Sequence, residues 1–116
     1  MVLSEYKKFY KKIGSVGCPY FGGEPVFFNM KGFNHLLRKG KTLRPISDQD
    51  SRLPLLIYCK RVLTGHYIRV EYRKSKGKKQ AQFWGFVSCI DGIEMKLVVK
   101  QLGKGSKQFL SIFPLR

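Results

Sequence analysis

The chain has 116 residues, 43% of them hydrophobic, and carries 23 Lys and Arg against 7 Asp and Glu, a formal charge of +16. That length supports one compact domain with its own core and is too short for two. The charge points to a polyanion, with nucleic acid ahead of a membrane surface, because the basic residues run along the whole chain and no amphipathic helix of anchoring length appears.

The opening MVLSEYKKFYKK lacks the apolar core and cleavage site of an export signal. No apolar run approaches the roughly 20 residues that cross a bilayer. The expectation is a cytoplasmic domain without signal peptide or transmembrane segment. Cys18, Cys59 and Cys89 are odd in number and far apart, which fits reduced thiols better than a zinc site or a disulfide framework.

In chain order, Ser4 caps a short helix in which Tyr6, Phe9, Tyr10 and Ile13 share one face and Lys7, Lys8, Lys11 and Lys12 the other. Glycines and prolines from Gly14 to Gly23 end it, so residues 1–24 form a basic helix and linker. Residues 25–65 hold the short strand PVFFN, a helix bearing His35, a polar link from Arg44 to Ser51, and a second helix from about Arg52 to Leu63, capped by Asp50 or Ser51 and stopped by Gly65. Pro54 fits the first turn of that helix.

Residues 66–116 read as four strands, Tyr67 to Arg73, Gln80 to Ile90, Ile93 to Leu102 and Lys107 to Leu115. Asp91-Gly92 between two alternating runs signals a two-residue hairpin, which sets Ile90 opposite Ile93. Trp84, Phe86, Ser88, Met95, Leu97 and Val99 then share the core face. A following hairpin through Gly103 to Ser106 adds Leu110 and Ile112 to that core, and leaves Lys96, Lys100, Phe109 and Ser111 on the opposite face with Phe83. The expected fold class is α+β, with N-terminal helices packed on one face of a four-stranded antiparallel β-sheet.

The chemistry concentrates in GFNHLLRKGKTLR, Gly32 to Arg44. One histidine sits in an apolar helix, and Arg38, Lys41 and Arg44 follow it. An imidazole moves protons near neutral pH, and guanidinium and ammonium groups hold phosphate, so this tract is a candidate phosphodiester site. The duller reading of His35 is a hydrogen-bonded structural histidine between Phe33 and Leu36. His66, beside Gly65, either caps the helix or serves as a second proton-transfer group. Arg52 either pairs with Asp48 or Asp50 or contacts substrate. RKSKGKK, Arg73 to Lys79, reads as a hairpin tip adding nonspecific attraction to RNA.

The segments PVFFNMKGFNHLLRKGKTLR, DSRLPLLIYCKRVL, QFWGFV, MKLVVKQLGKG and KQFLSIFPL, in that order and spacing, resemble the barnase, EndoU, colicin and RelE-like nucleases of phage and polymorphic-toxin type. The resemblance implies an endoribonuclease that needs no metal or other cofactor and works by attack of a ribose 2′-hydroxyl on the adjacent phosphorus. By position it implies His35, Arg52, Lys100 and Ser111 as catalytic residues. Arg38, Lys41, Arg44, His66 and Lys96 are the expected phosphate contacts, and Phe83 and Phe109 would stack bases. Glu71 and Glu94 fall near strand ends, which leaves no glutamate at an evident general-base position.

The expected partners are RNA and, if the domain is a toxin, an acidic antitoxin or immunity protein. A noncatalytic RNA- or ribosome-binding module is the alternative reading. A DNA-binding regulator ranks below both, because the basic helix from Tyr6 to Ile13 is short and mixed in character.

Overall fold

A computed structural model describes residues 2–77 and 80–115. Helix α1 spans Leu3–Ile13. It starts ahead of the expected Ser4 cap, because the Glu5 carboxylate turns back to accept a hydrogen bond from the Val2 N–H at 3.0 Å. Strands β1 (Ser15–Gly17) and β2 (Pro25–Phe27) flank a short 3₁₀ turn at Pro19–Phe21. Helix α2 (Met30–Leu37) follows, its first turn capped by the Asn29 side chain, which accepts from Gly32 N–H at 3.2 Å.

A two-stranded ribbon, β3 (Arg38–Lys39) and β4 (Thr42–Leu43), then leads into α3 (Ile46–Arg52). A 3₁₀ segment at Leu53–Tyr58 continues into α4 (Cys59–Leu63). The expected helix from Arg52 to Leu63 is therefore displaced. Arg52 closes one helix rather than opening another, and most of the supposed polar link is helical. The arginines at i−4 and i+4 from Asp48 both bind its carboxylate, which holds a turn of helix in a stretch with little apolar periodicity.

The remaining strands are β5 (Arg69–Lys74), β6 (Ala81–Ile90), β7 (Ile93–Leu102) and β8 (Lys107–Pro114). They form the expected antiparallel meander, but the sheet is six-stranded and mixed, in the order β1-β2-β8-β7-β6-β5. β2 joins β8 in parallel through Val26↔Lys107 and Phe27↔Gln108. It covers only the beginning of that edge, and the rest of β8 packs against α2 and α3. Of the basic hairpin tip, Arg73 and Lys74 end β5, whereas Lys78 and Lys79 lie outside the described residues.

The Asp91-Gly92 turn sets Ile90 opposite Ile93, with φ of 53° and 76° at its two central residues, the left-handed pair that such a turn requires. Trp84, Phe86, Ser88, Met95, Leu97 and Val99 are buried on the core face as expected. They meet Tyr10, Phe33, Leu56, Val62 and Leu63 from the helical half.

The β7–β8 register departs from strict alternation. Val98 stands opposite Ser111 but Val99 stands opposite Phe109, so Leu110 is an extra residue in a bulge. Phe109 therefore turns into the core, 1% exposed, stacked on Phe28 and edge-on to Tyr10. Leu110 takes the half-buried outer position expected for Phe109. The bulge lies where α2 comes closest to β8. A Cβ at Gly32 would sit 2.5 Å from the Phe109 carbonyl oxygen and 2.6 Å from the Tyr10 hydroxyl. That hydroxyl donates to the Asn29 carbonyl at 2.7 Å, tying α1 to the start of α2. Among the described residues no helix is long and apolar enough to cross a membrane.

Candidate nucleic-acid cleft

The face of the sheet turned away from the core carries three cross-strand rows. Arg69, Val87, Lys96 and Phe113 form one, Glu71, Gly85, Val98 and Ser111 the next, and Arg73, Phe83, Lys100 and Gln108 the third. Directly paired residues share a face, so these side chains rise together. Along the β8 edge, α2 and α3 form a rim above the second and third rows.

The rim is held by one carboxylate. Asp48 accepts from Arg52 Nε at 3.0 Å and from Arg44 Nη1 at 3.2 Å. Arg52 also donates to Ser111 Oγ at 2.9 Å and lies over the Phe113 ring at 5.2 Å. Arg44 donates from Nε to the His35 carbonyl oxygen at 3.0 Å, and Gln49 donates to the Arg44 carbonyl at 2.8 Å. The side chains of Arg44 and Arg52 are 9% and 14% exposed. Arg52's hydrogen bond, with further help from Arg44, holds the Asp48 carboxyl below the usual carboxylate range. These groups are braces, and what they brace is the end of α2 that carries His35.

His35 is half-buried on α2. Its imidazole is held below the ordinary histidine range, first by burial and then by the charges of Arg44, Arg52 and Lys100. Lys100 and His35 are thus within electrostatic reach of each other. Lys31, Asn34, His35 and Arg38 line one hollow of about 260 Å³. Lys31 also lines a second, of about 140 Å³, with Lys100, Gln108 and Ser106. Lys31 lines both hollows, and neither Lys31 nor Lys100 has a carboxylate partner among the described residues.

The expected site residues divide accordingly. His35, Lys100, Arg52 and Ser111 come to one region, although the buried Ser111 hydroxyl is engaged by Arg52. Arg38 and Lys41 stand at the ribbon beyond α2, joined by a bond from Arg38 Nη1 to the Lys41 carbonyl at 3.3 Å. Phe83 lies in the third row, between Arg73 at 4.5 Å and Lys100 at 5.7 Å from its ring.

Expectations for four residues are corrected. Phe109 is a core residue, because of the bulge. His66 is far from the cleft: its carbonyl accepts from Ser88 Oγ on the core face, and Ser88 lies roughly 17 Å along β6 from Phe83 at ordinary strand rise. Glu71 lies within β5, where Lys96 Nζ reaches it across Gly85 at 2.8 Å and Arg69 at 3.1 Å. Lys96 is therefore paired rather than free for phosphate. Its methylenes lie flat on Gly85, where a Cβ would stand 2.2 Å from Cε. Those bonds, the one from Lys96 first, hold the Glu71 carboxyl below its usual range.

Lys31 and Gln108 are cleft residues that the sequence reading passed over. For Lys31 a signal existed, since Lys31, His35 and Arg38 recur at i, i+4 and i+7 on one helix face. No protein-family model, curated protein or solved structure matches the chain.

Proposed function

We propose that this protein is an endoribonuclease that cleaves RNA without a metal, by attack of a 2′-hydroxyl on the adjacent phosphorus, and that it acts as a toxin held in check by an acidic protein. The observation that carries this reading is His35 within the electrostatic reach of Lys100, with Lys31 lining both the hollow of His35 and that of Lys100, and neither lysine held by a carboxylate among the described residues. An imidazole held below its ordinary range is neutral at pH 7 and ready to accept a proton.

His35 takes the 2′-hydroxyl proton as the 2′-oxygen bonds to phosphorus. The bond from phosphorus to the 5′-oxygen breaks, and that oxygen takes a proton from the cleft, where the Lys100 ammonium and water are the available acids. Lys31 and Lys100 offset the charge that grows on the phosphoryl oxygens. The products are a 2′,3′-cyclic phosphate and a 5′-hydroxyl. Arg44 and Arg52 position the machinery through Asp48 and Ser111. Phe83, set between two cations, offers a ring for base stacking.

The test is digestion of labelled RNA in EDTA with the product ends identified, comparing wild type with His35→Ala. Cyclic-phosphate ends from wild type and none from the variant are expected. Cleavage retained by His35→Ala removes this residue from the mechanism. Binding without cleavage by wild type makes the domain a noncatalytic RNA-binding module.

A further inference from the structure

The smaller hollow lies beside Lys100, between the start of α2 and the β7–β8 hairpin, and has room for more than a phosphate. Its volume of about 140 Å³ is close to that of an engineered apolar cavity, about 150 Å³, that takes up one benzene ring. Its walls are apolar at Leu102 and Leu110, and it is lined by polar groups at Asn29, Ser106 and Gln108.

Those polar groups are uncommitted. The hydrogen bonds of Asn29 engage its Oδ1 and its carbonyl, which leaves the side-chain NH₂. The side chains of Ser106 and Gln108 have no hydrogen-bond partner among the described residues. A small, partly apolar slot with an amide that offers one donor and one acceptor suits the edge of a single-ring base.

We infer that this hollow is a subsite for a pyrimidine base, whose 3′-phosphate lies between Lys100 and Lys31 and so next to His35. This rests on the ribonuclease reading and sharpens it: the cut falls on the 3′ side of uridine or cytidine. A single ring matches the volume of the slot, so a pyrimidine fills it and leaves the second ring of a purine outside the apolar walls. The Gln108 amide presents its oxygen to a cytosine amino group and its NH₂ to a uracil carbonyl, so both pyrimidines are accepted.

Nucleoside 3′-monophosphates test the subsite apart from catalysis, since they have no downstream 5′-oxygen to expel. Titrating wild-type protein with uridine, cytidine and adenosine 3′-monophosphates is expected to show the two pyrimidine nucleotides binding about tenfold tighter than the purine one. Gln108→Ala, which removes the amide and widens the slot, should reduce that preference while leaving inorganic phosphate binding unchanged. Ser106→Ala, on an exposed turn, should weaken pyrimidine binding without risk to the fold. Equal affinity for all three nucleotides, or a preference untouched by both variants, overturns the subsite. Pyrimidine preference in a protein that cuts no RNA keeps the subsite and sinks the nuclease. RNA cleavage without base preference does the reverse.

Discussion

At the β5 end of the open sheet face, Lys96 and Arg69 close on Glu71 at 2.8 and 3.1 Å, whereas at the α2 end Lys31 and Lys100 face the cleft with no carboxylate partner among the described residues. Between them, Arg44 and Arg52 share Asp48. The same residue types thus occur in opposite states within one small surface. In a chain with so few acids, where those acids sit decides which cations are left for a polyanion. Of the cations without a carboxylate partner among the described residues, Lys31 and Lys100 stand near the half-buried His35, whereas others, such as Lys7, Lys8 and Lys12 on α1, lie elsewhere on the surface.

The largest expected effect is at that unpaired end. His35→Ala should lower RNA cleavage by about 10² to 10⁴ while leaving the circular dichroism spectrum and binding of uncleavable RNA in place. Lys100→Ala should lower cleavage and also weaken RNA binding, with Lys100→Arg recovering binding more fully than rate. If the two alanine variants keep wild-type cleavage, the contrast between the two ends has no catalytic meaning.

The pH profile sharpens the contrast. As a base, His35 must be neutral, so cleavage should fall on the acid side of a limb set by its depressed pKa, below the ordinary histidine range. Lys100 is one of the charges that depress it, and Lys100→Ala should shift the limb toward higher pH. For stability the sign is the same. Unfolded chain binds the proton more readily, so the contribution of neutral His35 is complete above the unfolded pKa and is lost as pH falls through the folded one. A limb that stays put in Lys100→Ala would separate the two residues.

Much of this arrangement was legible in the sequence, and the misses share a cause. The core face of β6 and β7 followed from period-two alternation pinned by Asp91-Gly92, because a one-residue slip would expose every large side chain, each worth roughly 1.5 to 3 kcal/mol when buried. The same alternation failed at Leu110, since a bulge adds a residue that alternation cannot represent. It is fixed instead by Gly32 and Tyr10, distant in the chain, pressing on Phe109. The pairing of β2 with β8 is likewise nonlocal, made by a three-residue strand with little pattern of its own. Helix α3 was missed because ISDQDSR has no apolar stripe, although Arg44, Asp48 and Arg52 at four-residue spacing announce a salt-linked helix face.

Asp48→Asn should give the next effect in size. It weakens two charged hydrogen bonds at the rim and leaves two guanidiniums repelling each other, so a loss of about 1 to 2 kcal/mol is expected, tempered because the Asp48 side chain is 35% exposed. The wild-type contribution should also fade as pH drops through the depressed Asp48 pKa. Thermal melts at neutral and acid pH check both, with the difference between wild type and variant shrinking in acid. Because the rim holds the His35 carbonyl through Arg44, cleavage should decline with stability, but less than in His35→Ala.

Glu71→Gln should do least, and its direction is informative. Glu71 is exposed and its partners are on the surface, so the melting temperature should barely move. Yet the change releases Lys96 and Arg69 from their carboxylate and adds free positive charge to the far end of the face. RNA should then bind more tightly at low salt, with a steeper dependence of affinity on salt concentration, while the cleavage rate at saturating RNA stays as in wild type. Both ends would then hold free cations, and only the end bearing His35 would cut. A drop in the saturated rate instead would mean that the Glu71 carboxylate takes part in the chemistry, and that the paired end of the face is the catalytic one.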